Sequence, residues 1–124
     1  LNLEQDLNSK KIYKSIEIVY GLRNFIGNAN KFSKSKVFIN LKSDNNFTEI
    51  TIEDDGDGYP SDILSKIGEP YLKSSDKNSG LGLGLFIGKT LLEKNFASVN
   101  CWNSQTRSGA EVTIKWKNKD LFNL

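Results

Sequence analysis

Histidine and methionine are absent from this sequence of 124 residues, and cysteine occurs once, at Cys101. Without histidine, the chain holds no Ser-His-Asp triad, no histidine-bound metal and no phosphohistidine of its own. A single cysteine forms neither an internal disulfide nor a zinc cluster, which fits a protein of a reducing compartment. The composition therefore excludes catalysis by a Ser-His-Asp triad, by a histidine-bound metal or through a phosphohistidine of this chain.

Long apolar runs and an excess of charge are also missing. No stretch approaches the roughly 18 apolar residues of a transmembrane helix, and the polar start does not resemble a signal peptide. Seventeen lysines and arginines face 15 acidic residues, a net charge of +2. This balance predicts neither nucleic acid nor an anionic membrane as the main partner. With 37% hydrophobic and 26% charged residues, the length and composition are those of one globular domain.

The sequence begins with Leu1 and contains no initiator methionine. Leucine is not a residue before which an initiator is normally removed, so we expect the chain to be a fragment of a larger protein. Residues 1–14 are polar and weakly patterned, and we interpret them as a lead-in or linker. The folded domain is then expected to span residues 15–124.

The hydrophobic pattern predicts an α+β fold. Apolar residues at helical spacing predict helices, and alternation of apolar and polar residues predicts strands. Helices are predicted at 15–32, 59–68 and 83–95, strands at 37–42, 47–53, 98–103 and 110–116, and a polar loop at 73–80. This order predicts a two-layer α/β sandwich, in which helices cover one face of a mixed, mostly antiparallel sheet.

The first helix carries three polar residues on one stripe. Asn24, Asn28 and Lys31 follow one another at positions i, i+4 and i+7, which places them on the same side of the helix. An amide oxygen suits Mg²⁺, and a lysine suits phosphate oxygens. Taken alone, such a stripe is more often a solvated helix face.

A carboxylate stands where the second strand ends. Asp54 leads into Gly56 and Gly58, whose backbones can turn sharply and approach a ligand closely. A carboxylate fixed there can accept a hydrogen bond from an exocyclic amine such as that of adenine. Taken alone, the segment is more often an Asp-Gly turn that joins a strand to a helix.

A glycine-rich segment, residues 80–85, precedes the last long helix. Such a segment can hold phosphates, because its free N–H groups and the helix dipole both attract anions. It is not a Rossmann motif, because a polar loop precedes it and Ile87 replaces the third glycine. It is not a P-loop, because Leu83 stands where the first glycine is required and residues 88–90 fall within the helix.

Together and in this order, the three elements resemble the nucleotide-binding domain shared by sensor histidine kinases, gyrase, Hsp90 and MutL, the Bergerat or GHKL ATPases. Residues 24–32 resemble the N box, residues 54–58 the G1 box and residues 80–85 the G2 box. Residues 69–71 stand where the F box falls, and residues 109–112 where the last glycine box falls. The resemblance covers residues 15–116 and is strongest to the RegB/PrrB group of redox-responsive sensor kinases. The regulatory cysteine of that group lies in a preceding region, so Cys101 is interpreted as a small buried hydrophobe.

The resemblance implies a Bergerat fold that binds ATP and Mg²⁺. Asp54 would accept the adenine amino group, Asn28 would supply an oxygen to Mg²⁺ with Asn24 beside it, and Lys31 would meet the phosphates. Residues 73–79 would form a mobile lid over the nucleotide. The implied nucleotide contacts are Asn24, Asn28, Lys31, Asp54, Gly56, Gly58, Lys73, Lys77, Gly80, Leu81, Gly82, Leu83 and Gly84.

Asn24 distinguishes two activities within the family. Gyrase-like members carry a glutamate there as the general base for water, whereas an amide has no basic lone pair for that task. The resemblance therefore implies a protein-histidine kinase domain, with Asn24 and Lys31 as catalytic residues, that hydrolyses ATP poorly. The acceptor would be a histidine on a separate dimerisation domain, so the chain alone would not label itself.

The same resemblance implies the biological setting. A response regulator would receive the phosphoryl group indirectly, the parent protein would be a homodimer, and this fragment would be a monomer. The expected location is the cytoplasm, with the parent either free or anchored in the inner membrane.

Some residues depart from the family pattern. Gly27 is often larger or acidic in relatives, Gly68 replaces the first phenylalanine of the F box, and Ala110 lacks a hydroxyl that many relatives place near adenine. These departures leave open a weak binder of nucleotide, and two alternative functions are also considered. One is a non-catalytic module that binds nucleotide or a partner, and the other is a serine kinase of the anti-sigma type.

Overall fold

The computed structural model describes residues 9–66 and 79–121. These residues form four helices and four strands. They are α1 (Ser9–Phe32), β1 (Val37–Ser43), β2 (Phe47–Asp54), α2 (Ser61–Lys66), α3 (Ser79–Lys94), β3 (Ser98–Asn103), β4 (Ala110–Lys117) and α4 (Asn118–Leu121). Within the described residues, no helix is both long enough and apolar enough to cross a membrane.

The four strands form one sheet in the order β1-β2-β4-β3, with every pair antiparallel. Ile52 in the middle of β2 stands opposite Ile39 on one side and Val112 on the other. Because side chains alternate along a strand, Ile52, Val112 and Ile114 share the face that the helices cover. The predicted two-layer α+β fold is confirmed, although the strands described include no parallel pair.

The predicted strands agree with the structure to within two residues at either end, but two helices begin earlier than predicted. Helix α1 starts at Ser9, so residues 9–14 are helical, whereas the sequence predicted that the helix begins at residue 15. Once a helix is nucleated, lysine-rich turns extend it at little cost even without an apolar stripe. The domain boundary itself remains a prediction. The single turn of α4 was not predicted.

The glycine-rich run is the larger correction. Helix α3 begins at Ser79, so Gly80, Gly82 and Gly84 lie inside its first turns rather than in a loop before it. Each glycine costs a helix about 1 kcal/mol relative to alanine. At Gly84, close packing against α1 offsets part of this cost, because a Cβ there would lie 3.3 Å from Nδ2 of Asn28.

The contact between α1 and α3 depends on small residues. A Cβ added at Gly21 would lie 2.7 Å from Cγ of Leu92, and one at Gly88 would lie 2.8 Å from Cε2 of Phe25. Phe25 and Leu92 are almost fully buried. The 88–90 segment, which superficially resembles the end of a P-loop, is therefore a helix-packing segment.

The core fills the space between the helices and the sheet. Its largest fully buried side chains are Trp116, Phe25, Ile52, Ile63, Leu85, Leu92 and Ile114. The Trp116 indole N–H donates to the backbone oxygen of Asn95 at 3.1 Å. This bond satisfies a polar group that burial would otherwise leave unpaired.

Asp55 fixes the connection between α1 and β1. Its Oδ1 accepts hydrogen bonds from the backbone N–H groups of Lys34, Ser35 and Lys36 at 2.9–3.1 Å, and its Oδ2 accepts one from the Ser35 hydroxyl at 2.6 Å. The bond from the Ser35 hydroxyl, followed by the backbone bonds, holds the pKa of Asp55 far below its ordinary value. The segment that follows β2 is thereby joined to the end of α1.

We predict opposite effects for alanine at two glycines of the helix pair. Gly88→Ala forces a methyl group against the buried Phe25 ring and should lower the free energy of unfolding by about 1–3 kcal/mol. Gly27→Ala meets no atom within 4 Å and should raise it by about 0.5–1 kcal/mol, because alanine favours the helix. Urea unfolding of both variants measures this. Changes of the same sign would contradict the packing described.

We also predict a pH-dependent effect of Asp55→Asn. The pKa of Asp55 is lowered in the folded state, so its contribution to stability is complete above the unfolded value of 3.8 and is lost as the pH falls towards the folded pKa. At pH 7 the variant should have a lower unfolding midpoint than the wild type, and the difference should shrink below pH 3.8. Thermal unfolding between pH 7 and pH 3 tests this. Asp62→Asn, which removes an exposed carboxylate from α2, is the control.

Candidate functional site

A cavity of about 200 Å³ lies at the carboxyl end of α1, against β2 and β4. Since one water molecule occupies about 30 Å³, the cavity has room for a small ring system. Its walls are mostly apolar, and one buried carboxylate faces into it. The lining residues are Phe25, Asn28, Ala29, Phe32, Ile52, Asp54, Asp57, Gly58, Tyr59, Pro60, Ala110 and Val112.

Asp54 is the buried carboxylate, with 3% of its surface exposed. Its Oδ1 accepts hydrogen bonds from the backbone N–H of Gly56 at 2.8 Å and of Ala110 at 3.2 Å. No described residue donates a hydrogen bond to its Oδ2. The side chain is therefore held rigidly through one oxygen and keeps the other as an acceptor for a ligand.

Two glycines make this position of Asp54 sterically feasible. A Cβ at Gly56 would overlap the backbone oxygen of Phe32, and a Cβ at Gly109 would overlap the backbone and side-chain oxygens of Asp54. Gly58 has a φ of 82°, in the left-handed region that favours glycine. The predicted residues Asp54, Gly56 and Gly58 therefore lie together. Gly109 was not among the predicted contacts, although residues 109–112 had been matched to the last glycine box.

Asn24 and Asn28 face the first turns of α3. Asn24 donates through Nδ2 to the backbone oxygen of Tyr20 at 2.9 Å. The Asn28 Nδ2 is buried, and no described residue accepts a hydrogen bond from it. A Cβ at Gly84 would lie 3.3 Å from that atom and 3.9 Å from Oδ1 of Asn24. A buried amide without a partner costs about 1–3 kcal/mol, which indicates that a ligand completes this part of the site.

The other predicted nucleotide contacts either do not line the cavity or lie outside the described residues. Lys31 is exposed, with Nζ 5.4 Å from the centroid of the Phe32 ring, and it does not line the cavity. Leu83 is 56% exposed. Gly80, Leu81 and Gly82 belong to the first turn of α3. Lys73, Lys77, the predicted lid and the F-box segment lie outside the described residues.

Comparison with known families gives this cavity a context. A family model described as histidine kinase-, DNA gyrase B-, and HSP90-like ATPase matches residues 14–120. The chain belongs to this ATPase family. The ATPase domain accordingly has the fold and the motif order that its sequence predicted.

Curated relatives of the ATPase domain are sensor kinases. The sensor histidine kinase RegB of Cereibacter sphaeroides is 36% identical over 85% of this chain and 27% of RegB. The heme sensor protein HssS of Staphylococcus saprophyticus is 32% identical over 77% of this chain and 21% of HssS. The chain thus spans about a quarter of the length of these relatives. The predicted sensor-kinase ATP-binding domain and its likeness to the RegB group are confirmed.

Solved structures agree with this fold. The catalytic domain of the histidine kinase ThkA matches with a TM-score of 0.65 at 18% identity, over 82% of this chain and 66% of that one. Full-length ShkA in complex with AMPPNP matches with a TM-score of 0.62 at 25% identity, over 81% of this chain and 21% of that one. The likeness to ThkA supports the two-layer architecture alone.

The ATPase domain offers a divalent cation neutral oxygen ligands. Among residues 9–66 and 79–121, no group of three or more histidine, cysteine, aspartate or glutamate side chains could hold a metal ion. Rotation of the unpaired Asn28 amide by half a turn would place an oxygen where the buried nitrogen lies. The residues therefore fit a Mg²⁺ ion that takes most of its ligands from phosphate and water.

Cys101 packs against the core of the ATPase domain beside Tyr59. It is half-buried, less than the sequence predicted. Burial raises the pKa of its thiol to about 12 and also raises the pKa of Tyr59. The thiol is therefore protonated at neutral pH and is a poor nucleophile.

Proposed function

We propose that this domain binds Mg²⁺-ATP in the cavity at Asp54 and presents the γ-phosphoryl group to a histidine of a separate dimerisation domain. The observation that carries the proposal is the buried Asp54 carboxylate, which is fixed through one oxygen and keeps the other for a ligand. The names of the curated relatives and the AMPPNP complex of ShkA support it.

Asp54 favours adenine over guanine. A carboxylate accepts hydrogen bonds and, when ionised, donates none. Adenine offers an exocyclic amine as a donor, whereas guanine carries a carbonyl oxygen at the equivalent position. Ile52, Val112 and Phe25 give the flat faces of the base an apolar surface. We therefore expect this site to bind ATP more tightly than GTP.

The phosphates are proposed to lie between α1 and the start of α3. Asn28 would supply an oxygen to Mg²⁺, with Asn24 beside it, and the bound ion would neutralise charge on the phosphates. Gly84 leaves space next to both amides. Lys31, one turn beyond Asn28, is exposed and can extend towards a phosphate without losing an ion pair within the described residues. Lys73, Lys77, Gly80, Leu81, Gly82 and Leu83 are retained as proposed nucleotide contacts.

The chemistry of α1 favours transfer of the phosphoryl group over hydrolysis. The Asn24 amide has no basic lone pair with which to activate water, and its nitrogen is engaged by Tyr20. Catalysis would then rest on the positioning of ATP and on charge neutralisation. Because the chain has no histidine, the acceptor must be supplied by another part of the parent protein. A response regulator, a homodimeric parent and a cytoplasmic location complete the proposal.

We predict that Asp54→Asn weakens nucleotide binding. The variant loses the charged acceptor, and its amide can place a donor opposite the adenine amine. Calorimetric titration with AMPPNP and Mg²⁺ should show a loss of affinity of roughly 100-fold. Asp62→Asn is the matched control, because it makes the same change at an exposed carboxylate that is not among the lining residues of the cavity. A folded wild type that binds no AMPPNP would disprove the proposed function.

We also predict where the phosphoryl group goes. Incubated with γ-labelled ATP alone, the chain should remain unlabelled, because it has no histidine. When the dimerisation domain of the parent protein is added, label should appear on that domain in the acid-labile form of phosphohistidine. Acid-stable label on serine would favour a serine kinase, and tight binding of ATP without any transfer would favour a regulatory module.

A further inference from the structure

Asn103, the last residue of β3, lies outside all the sequence motifs and yet holds one wall of the cavity. Its Oδ1 accepts a hydrogen bond from the backbone N–H of Tyr59 at 2.6 Å, and its Nδ2 donates one to the backbone oxygen of Tyr59 at 3.2 Å. A single amide thus satisfies both backbone groups of one residue. This paired contact joins the end of β3 to the loop after β2, 44 residues away in sequence.

The loop after β2 forms one wall of the cavity. Asp57, Gly58, Tyr59 and Pro60 are four successive lining residues from this loop. Tyr59 is 8% exposed and belongs to the core. A shift of the Tyr59 backbone would therefore displace a continuous part of the cavity wall.

The shape of this loop matches the Asn103 side chain. The left-handed conformation of Gly58 brings its Cα against the amide, and a Cβ there would lie 2.6 Å from Oδ1 of Asn103. Other hydrogen bonds hold the start of this loop. Asp54 accepts one from the backbone N–H of Ala110, and Asp55 accepts bonds from the residues after α1. Among the described residues, Asn103 alone forms hydrogen bonds with the Tyr59 backbone.

We propose that Asn103 is a positioning residue for the base-binding wall, one that sets nucleotide affinity without touching the nucleotide. The inference rests on the proposed function and extends it to a residue that no motif includes. Because the amide holds residues 57–60 in place before a ligand arrives, binding does not have to order them. Removal of the amide transfers this ordering cost to the binding step.

A positioning role differs measurably from a purely structural one. Loss of stability alone lowers the unfolding midpoint but leaves the dissociation constant of the folded molecules unchanged. A lost positioning contact raises the dissociation constant even where every molecule is folded. The dissociation constant then rises by the same factor for every nucleotide that contains adenine, whatever its phosphate chain.

The test compares three variants of the 124-residue chain with the wild type, at a temperature far below unfolding. Asn103→Ala removes both hydrogen bonds, and Asn103→Asp keeps the shorter one. Asn100→Ala removes an exposed amide from the same strand and serves as the matched control. Titration with ADP and with AMPPNP, each with Mg²⁺, gives the dissociation constants, and amide hydrogen exchange of residues 57–59 reports on the wall without nucleotide.

For Asn103→Ala we expect both dissociation constants to rise about tenfold, with faster exchange at Tyr59 and no such change in Asn100→Ala. Asn103→Asp should also raise both dissociation constants, because its second carboxylate oxygen would face the Tyr59 carbonyl oxygen in place of a donor, and it decides the question if Asn103→Ala does not fold. Unchanged dissociation constants together with a lowered unfolding midpoint would overturn the inference and leave the proposed function intact. A wild type that binds neither nucleotide would overturn both.

Discussion

The carboxylate of Asp54 is the constraint to which the surrounding elements conform. It is buried, so its oxygens need donors, and backbone N–H groups of Gly56 and Ala110 supply them to Oδ1. Backbone donors reach a side chain only where the chain comes very close. Glycine at positions 56 and 109 allows that approach, because any Cβ there would overlap neighbouring oxygens. The strand end, the turn after it and the start of β4 are thus packed around one charged group.

A second close approach, between α1 and α3, determines the other half of the site. Gly21 and Gly88 let the helices touch over Leu92 and Phe25, and Gly84 leaves room beside the amides of Asn24 and Asn28. Glycine weakens a helix by about 1 kcal/mol per residue. The α3 glycines therefore cost the helix stability locally, and the close contact with α1 depends on Gly84 and Gly88. The same contact that builds the core leaves the buried Asn28 amide nitrogen without a hydrogen-bond partner among the described residues.

Local sequence pattern was enough to predict much of the fold. Apolar residues recur every two residues in a strand and every three to four residues in an amphipathic helix. The strands β1 to β4 follow from that alternation, and α1 follows from its apolar stripe. The start of α3 could not be predicted from such periodicity. Glycine-rich sequence ordinarily opens a helix or forms a loop, and the competing preference came from packing against a helix some 60 residues earlier in the chain. The early start of α1 was missed for a related reason, because polar residues extend an existing helix without leaving a periodic signal.

The sequence by itself determined the family, through the order and spacing of its motifs, and it identified Asp54 as the residue at the end of a strand beside two glycines. It also excluded histidine as an internal acceptor, since composition alone decides that. Only the tertiary structure decided that Gly109 packs on Asp54, that Lys31 stands away from the cavity, and that Asn103 holds the Tyr59 backbone. These relations join residues that are distant in the chain, and no local periodicity carries information about which side chains the folded backbone brings together.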